Sequence, residues 1–216
     1  TSRIDDIRNN LGQVSLPDCG KLVFMVIPFD SFGTSHKLEI ASLSSCEIQP
    51  ICAGGWSGLI NLDGYLVYTA TGDGNDISYV QIYRNGIIEF VCASMFDDHE
   101  DGKPFIPSTY YEIEVIKAFR SSLEAYQTLE IEFPLALAVS FTNIRGYRFA
   151  VDQRILRSTM KDRLYKKELL STPIEILTDA ADSAPKMLKP VFDTVWNAFG
   201  YPGSRNYGTD GEWKKA

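Results

Sequence analysis

The densest group of side chains that could bind a metal ion is the run Asp97–Asp101, which contains three aspartates, one glutamate and one histidine. Carboxylate oxygens and an imidazole nitrogen are ligands that divalent cations accept. Consecutive residues of one loop cannot all point at the same ion, however, and their spacing matches no known ligand pattern such as an EF-hand. The sequence therefore favours a solvated acidic loop, and it leaves a metal-dependent hydrolase or nuclease as an alternative.

General acid–base chemistry has one further candidate, His36, which lies in a polar loop after Gly33. A histidine can act as a general base when a carboxylate orients it, but an isolated loop histidine is more often a surface residue. The segment Gly55–Gly58 contains a serine without the strand–turn–helix pattern of a nucleophile elbow. We therefore predict no catalytic residue, no metal ligand and no cofactor. A catalytic role would require the convergence of His36 with Asp63, Asp73, Asp98 and Glu100.

The strongest electrostatic feature is the segment 145–167, where eight basic and two acidic residues give a local charge of +6. The whole chain carries a net charge of −7. If residues 153–166 form a helix, three basic side chains share one face and could contact nucleic-acid phosphates or an acidic partner. A solvated face, or an intramolecular partner for the acidic remainder of the chain, is the alternative. The predicted contact residues are Arg145, Arg148, Arg154, Arg157 and Lys161.

A mainly antiparallel sheet is predicted to position these residues. The dense apolar run Lys21–Pro28 and the Tyr-, Val- and Thr-rich run Leu62–Thr71 are typical of strands. The Asn85–Gly86 dipeptide predicts a two-residue type I′ hairpin that places Tyr83 opposite Ile88. Both faces of this hairpin are largely apolar, which predicts a position inside a sheet that is covered on both sides.

Two helices are predicted to accompany that sheet. Thr109 and Glu112 form a capping-box pattern at the start of a long helix with an apolar stripe. The segment Pro190–Phe199 predicts a short C-terminal helix, in which Trp196 is a buried anchor. We predict one α+β domain over residues 1–216, with a mainly antiparallel sheet, a long packing helix and a short C-terminal helix.

The composition, with 44% hydrophobic and 23% charged residues, excludes disordered, collagen-like and coiled-coil classes. No apolar run reaches the length of a transmembrane helix, and the polar first residues predict no signal peptide. The four cysteines form no CxxC pair, which predicts reduced thiols in a cytoplasmic protein without membrane contact. Because the first residue is Thr1 instead of Met, we expect the chain to be part of a longer protein.

Five short blocks together resemble a known bacterial arrangement, and they are Val26–Phe32, Asn61–Gly64, Tyr79–Glu89, Asp193–Tyr201 and Asn206–Trp213. The family is the C-terminal region of bacterial proteins that carry an N-terminal Schlafen-type AlbA-like domain, often described as DNA-binding or ATP-binding. The resemblance implies a non-catalytic accessory domain, with the AlbA-like domain of the same protein as its partner, and it transfers no catalytic residue. Weak contact with nucleic acid, a small ligand or a protein partner, and a scaffold or homo-oligomer role, stay open.

Overall fold

The structure is a computed structural model that describes residues 3–33, 38–72, 74–96, 104–151 and 164–214. Within these ranges, the helices are α1 (Arg3–Arg8), α2 (Ile40–Ser44), α3 (Ser108–Thr128) and α4 (Ala184–Ala198), and a 3₁₀ turn spans Phe29–Phe32. The strands are β1 (Lys21–Pro28), β2 (Ser57–Ile60), β3 (Gly64–Ala70), β4 (Asp76–Tyr83), β5 (Ile88–Cys92), β6 (Phe105–Pro107), β7 (Leu135–Thr142), β8 (Arg148–Ala150), β9 (Leu169–Ser171) and β10 (Glu175–Leu177).

Eight of these strands form one antiparallel sheet with the order β10-β7-β1-β5-β4-β3-β2, and β9 also pairs with β7. The central strand β1 lies between β5 and β7, so that Phe24 has Phe90 opposite it on one side and Val139 on the other. The remaining strands β6 and β8 form a small parallel pair. This mainly antiparallel sheet, with a long helix and a C-terminal helix, confirms the predicted α+β class.

The main core lies between one face of the sheet and helices α2, α3 and α4. The rings of Phe24 and Phe90 stack with centroids 5.9 Å apart, and Phe119 of α3 meets Phe24 edge-on at 6.4 Å. Aromatic side chains of this size contribute a large share of the buried apolar surface. No helix among the described residues, α3 included, combines the length and the apolarity that crossing a bilayer requires.

The opposite face of the sheet is covered by α1 and by the chain that follows it. Ile7 of α1 belongs to a second apolar cluster, which includes Tyr79 and Val91 of the sheet. On this face the fully buried Glu89 accepts two hydrogen bonds from the Arg3 guanidinium, at 2.8 and 2.7 Å. A buried carboxylate needs such a partner, because an unpaired buried charge is costly. Both faces of the β4–β5 hairpin are therefore covered, as predicted.

The register of this hairpin differs from the predicted one. Ile82, instead of Tyr83, lies opposite Ile88, and the Tyr83 N–H donates to the Ile87 carbonyl at 2.8 Å. Within the loop only Gly86 has a positive φ, of 86°, so the connection is a three-residue loop and no type I′ turn forms. The predicted register, shifted by one residue, would place Ile82 and Ile88 on opposite faces of the sheet. In the observed register they lie opposite each other, and both side chains belong to the main core.

The starts of the two long helices also differ from the prediction. α3 begins at Ser108 after Pro107 and has no side-chain cap, so the predicted capping box is wrong. α4 begins at Ala184, and Pro190 lies inside the helix instead of in its first turn. Because Pro185 already occupies one of the first two helical positions, where proline fits well, the helix is longer than predicted.

Candidate functional site

A cleft of about 1000 Å³ opens between the turn after β7, the chain that precedes β9 and the end of α4. Its wall combines basic side chains with aromatic and small apolar ones. We call it the basic cleft, and the described residues that line it are Arg145, Gly146, Leu164, Tyr165, Lys166, Lys167, Ala198 and Phe199.

Backbone hydrogen bonds fix the two sides of the basic cleft relative to each other. The Gly146 N–H donates to the Tyr165 carbonyl at 2.8 Å, and the Tyr165 N–H donates to the Tyr147 carbonyl at 2.9 Å. Gly146 has a φ of 84°, a conformation that favours glycine and lets the chain turn sharply after β7. The Tyr165 ring consequently lies against Phe199, with ring centroids 5.3 Å apart.

The charges of the basic cleft are exposed and only partly neutralised. Arg145 Nη1 lies 3.8 Å from Glu168 Oε1, and the Arg145 side chain is 72% exposed. Lys166 and Lys167 are exposed and form no ion pair with a described residue. Cations beside an aromatic ring suit an anionic ligand that also carries a planar group, because the ring provides a stacking surface.

Two of the five predicted contact residues, Arg145 and Arg148, lie within the described ranges. Arg145 lines the basic cleft, whereas Arg148 lies half-buried in β8 and is not among the described lining residues. Arg154, Arg157 and Lys161 lie outside the described residues, so their contribution stays a prediction. Lys166 and Lys167 belong to the basic segment 145–167 but, like Tyr165, were not among the predicted contact residues, because helical spacing within 153–166 favoured Arg154, Arg157 and Lys161.

The convergence that the alternative of a metal-dependent enzyme would require involves residues that lie mostly outside the described ranges: His36, Asp73, Asp98 and Glu100. Asp63 is described, and its Oδ2 accepts a hydrogen bond from Gln13 Nε2 at 2.8 Å. Within the described ranges, no group of three or more histidine, cysteine, aspartate or glutamate residues could hold a metal ion.

A second arrangement of polar groups lies at the start of α3, where the Glu112 side chain is fully buried. Its Oε1 accepts hydrogen bonds from Trp196 Nε1 at 2.8 Å and from Ser204 Oγ at 2.7 Å. Its Oε2 accepts hydrogen bonds from Asn206 Nδ2 and Trp213 Nε1, both at 2.9 Å. Four donors from α4 and the C-terminal segment thus converge on one carboxylate of α3.

The surroundings of Glu112 indicate a structural role. Burial raises the pKa of its carboxyl, and hydrogen bonds from the four donors oppose that rise. Because no part of Glu112 is exposed, an external substrate cannot reach it. The Thr109 hydroxyl, expected to cap α3 together with Glu112, instead donates to Asn206 Oδ1 at 3.1 Å. Trp196 is confirmed as a buried anchor of the last helix.

Two of the five short sequence blocks, Asp193–Tyr201 and Asn206–Trp213, supply three of the four donors to Glu112. These blocks therefore determine how the C-terminal segment docks on α3. Of the residues in these two blocks, only Ala198 and Phe199 line the basic cleft.

Comparison with known proteins adds no further assignment, since no family model, no curated protein and no solved structure matches the chain significantly.

Proposed function

We propose that this chain is a non-catalytic accessory domain of a DNA-associated bacterial protein, and that its basic cleft contacts the phosphates of nucleic acid. The observation that carries the proposal is the position of Arg145, Lys166 and Lys167 beside the ring of Tyr165 in one cleft. Basic side chains neutralise phosphates, and an aromatic ring offers a surface on which an unpaired base can stack. This combination favours single-stranded nucleic acid over a duplex.

The contact is expected to be weak and tolerant of sequence. The described lining of the cleft contains three basic side chains, and one of them, Arg145, already forms an ion pair with Glu168. The net charge of −7 on the chain opposes the approach of a polyanion from a distance. In this proposal the AlbA-like domain of the same protein supplies the remaining affinity. The four free thiols support a cytoplasmic location, because reducing compartments keep cysteines unpaired.

The first test compares two charge-matched double variants in titrations of labelled single-stranded DNA, duplex DNA and RNA. Lys166→Ala with Lys167→Ala removes two cations of the basic cleft, and Arg120→Ala with Lys214→Ala removes two exposed cations elsewhere. Each lost phosphate contact should reduce the slope of log K against log salt by about 0.7 for single strands, so the cleft variant should lose about 1.4. The control variant should keep the wild-type slope, and equal slopes for both variants would overturn the proposal.

A second test uses a substitution that should tighten binding. Glu168→Gln removes the acid beside Arg145 and frees the guanidinium for a phosphate. An exposed ion pair is worth about 0.2–1 kcal/mol, so the affinity for single-stranded DNA should rise by up to about fivefold. Misfolding cannot produce such a gain. Unchanged affinity of the Glu168→Gln variant would show that Arg145 does not contact the nucleic acid.

A second candidate function, self-association, is favoured by the edge strand β2. All four of its residues are exposed, and the flanking Trp56 and Leu62 are 50% and 89% exposed. β2 has β3 as its one strand partner in the part of the chain that the structure describes. Pairing of β2 with β2 of a second copy would extend the sheet and cover this apolar edge.

The oligomeric state at several protein concentrations tests this second candidate. Ile60→Lys, in β2, should convert a dimer to a monomer in light scattering after size exclusion, because the charge interrupts the apolar edge. Ile176→Lys is the matched control, since Ile176 is 53% exposed in the opposite edge strand β10 and Ile60 is 56% exposed. A wild type that stays monomeric at every concentration would eliminate the candidate.

A further inference from the structure

Two tyrosine hydroxyls converge on the buried carboxylate of Glu89, on the face of the sheet that α1 covers. Glu89 of β5 lies opposite Gln81 of β4. Tyr79 and Tyr83 lie two residues to either side of Gln81, so they are diagonal neighbours of Glu89 on the same face. Glu89 Oε1 accepts hydrogen bonds from the Tyr79 hydroxyl at 3.0 Å and from the Tyr83 hydroxyl at 3.3 Å.

The guanidinium of Arg3, the first residue of α1, binds both oxygens of this carboxylate. Its Nε donates to Glu89 Oε2 at 2.8 Å, and its Nη2 donates to Glu89 Oε1 at 2.7 Å. Its Cζ lies over the Tyr83 ring, 6.0 Å from the ring centroid, which is the range of a cation–π contact. This arrangement selects a guanidinium over an ammonium group, because only the guanidinium is a planar fork that can bind two oxygens and face an aromatic ring.

The two sides of this contact are held with different firmness. β4 and β5 pair with each other and with β3 and β1 inside the sheet, so the acceptor side is rigid. α1 has six residues, and its buried residue is Ile7. Because a helix this short is not stable alone in water, its position depends on the contacts of Arg3 and Ile7. The Arg3 side chain is 30% exposed, whereas Glu89 is fully buried beneath it.

Glu89 requires a cation even when α1 moves away, because a buried carboxylate without a charged partner is costly. Its two tyrosine donors remain in place on β4. Burial, and after it the Glu89 carboxylate, raise the pKa of Tyr79 and of Tyr83, so both hydroxyls keep their protons and continue to donate. Displacement of α1 would therefore uncover an assembled acceptor for a guanidinium.

We propose that Glu89, Tyr79 and Tyr83 form a guanidinium-binding site, which Arg3 occupies in this structure and which an arginine side chain on a short helix of a partner protein occupies when α1 is displaced. The helix that fills the site now shows what such a partner carries. Ile7 lies one turn after Arg3 and belongs to the second apolar cluster together with Val91. The recognised pattern is an arginine followed four positions later by a large apolar residue, and α1 is the internal competitor of the partner.

This site does not depend on nucleic-acid contact, because none of its residues lines the basic cleft. A failure of either proposal in its own experiment leaves the other one standing.

Chemical rescue of Arg3→Ala in the whole chain tests the site with ethylguanidinium chloride, and thermal unfolding is followed by circular dichroism. Millimolar ethylguanidinium, far below the molar range in which guanidinium denatures proteins, should raise the unfolding midpoint of Arg3→Ala in a saturable manner. Ethylammonium chloride at the same concentration should give a smaller shift. Arg8→Ala is the matched control and should show no saturable gain, since Arg8 lies on the same helix but pairs with the partly exposed Asp5, at 3.1 Å.

The rescue decides the question even if Arg3→Ala does not fold by itself. Recovery of the folded spectrum in ethylguanidinium, with ethylammonium as the reference, is then the readout. Adding Glu89→Gln to Arg3→Ala should abolish the response, because a neutral amide does not attract a cation. Equal responses to the two salts, or a response that survives Glu89→Gln, would overturn the site.

A fluorescent, capped peptide with the sequence of residues 1–10 tests the helical partner. The receiving chain carries Arg3→Ala and Ile7→Ala, which remove the guanidinium and the buried side chain of its own α1. Fluorescence anisotropy should show saturable binding of the peptide to this variant. Neutral citrulline in place of Arg3 in the peptide keeps the shape, removes the charge and should weaken binding by about 10- to 100-fold.

Wild type should bind the same peptide more weakly than the double variant, because its own α1 competes at a high effective concentration. Equal binding of the arginine and citrulline peptides would refute recognition of the guanidinium. Rescue by ethylguanidinium without any binding of the peptide would overturn the helical partner.

Discussion

Replacing Glu112 by glutamine tests whether the buried carboxylate holds the C-terminal segment on α3. Glutamine keeps the shape of the side chain but exchanges one acceptor oxygen for an NH₂ group. In the wild type, Oε1 accepts from the Trp196 indole and Oε2 accepts from the Trp213 indole. An indole N–H can only donate, so no orientation of the amide in Glu112→Gln satisfies both tryptophans.

The magnitude follows from the number of donors that lose their acceptor. The Ser204 hydroxyl can rotate to accept from the new NH₂ group. One indole N–H cannot adapt, and a buried donor without a partner costs about 1–3 kcal/mol. Glu112→Gln should therefore lower the free energy of unfolding by about that amount.

Urea unfolding followed by circular dichroism measures this loss, and Glu124→Gln serves as its control. Glu124 lies on the same helix but is exposed, so the same chemical change there should stay within about 0.5 kcal/mol of wild type. Adding Trp213→Phe removes one of the two competing indole N–H groups. The loss caused by Trp213→Phe should then be smaller in the Glu112→Gln variant than in wild type, with a coupling of about 1 kcal/mol. An additive cycle, or a Glu112→Gln variant as stable as Glu124→Gln, would refute the reasoning.

Three further measurements address other parts of the molecule. Trp196→Ala should lower the free energy of unfolding by about 3–5 kcal/mol in urea, because its ring is fully buried; an unchanged midpoint would contradict this. Lys21→Met should raise that free energy by about 1–3 kcal/mol at pH 7, because burial lowers the pKa of Lys21 and its Nζ has no hydrogen-bond partner among the described residues. The gain should shrink as the pH rises towards 10.5, where the unfolded chain also loses the proton, and a constant gain would argue against burial of the charge. Iodoacetamide should modify Cys52 at a lower pH than Cys19, since the pKa of Cys52 lies below 9.0 and burial raises that of Cys19 above it.

The sheet was predictable from the sequence because its signals are local. Apolar runs such as Lys21–Pro28, and turn residues such as Gly86, mark strands and their ends without reference to the rest of the chain. The register was not predictable to the same degree. The Asn85–Gly86 dipeptide favours a two-residue loop, but the observed loop has three residues and Asn85 has no positive φ, so that Ile82 shares a face with Ile88 instead of lying on the opposite face.

The buried carboxylate was missed because its partners are distant in sequence. Thr109 and Glu112 match the local pattern of a capping box, but the donors to Glu112 lie 84 to 101 residues further along the chain. One signal could have identified it: Glu112 lies four and seven residues before Ile116 and Phe119, on the buried side of α3. A carboxylate on an apolar stripe must find donors elsewhere, and two tryptophans in the C-terminal region were the available ones.

The charge distribution suggests how the basic cleft could function within an acidic chain. At about 0.15 M salt the Debye length is about 8 Å, so acidic groups further away than this are largely screened from a ligand in the cleft. Among the described residues, Glu168 is then the immediate acidic neighbour of Lys166 and Lys167 in the chain. At very low salt the full charge of −7 acts on an approaching polyanion and should slow association. Binding by the isolated chain should therefore be strongest at intermediate salt, whereas a chain with a uniformly basic surface would bind more tightly at every step towards lower salt.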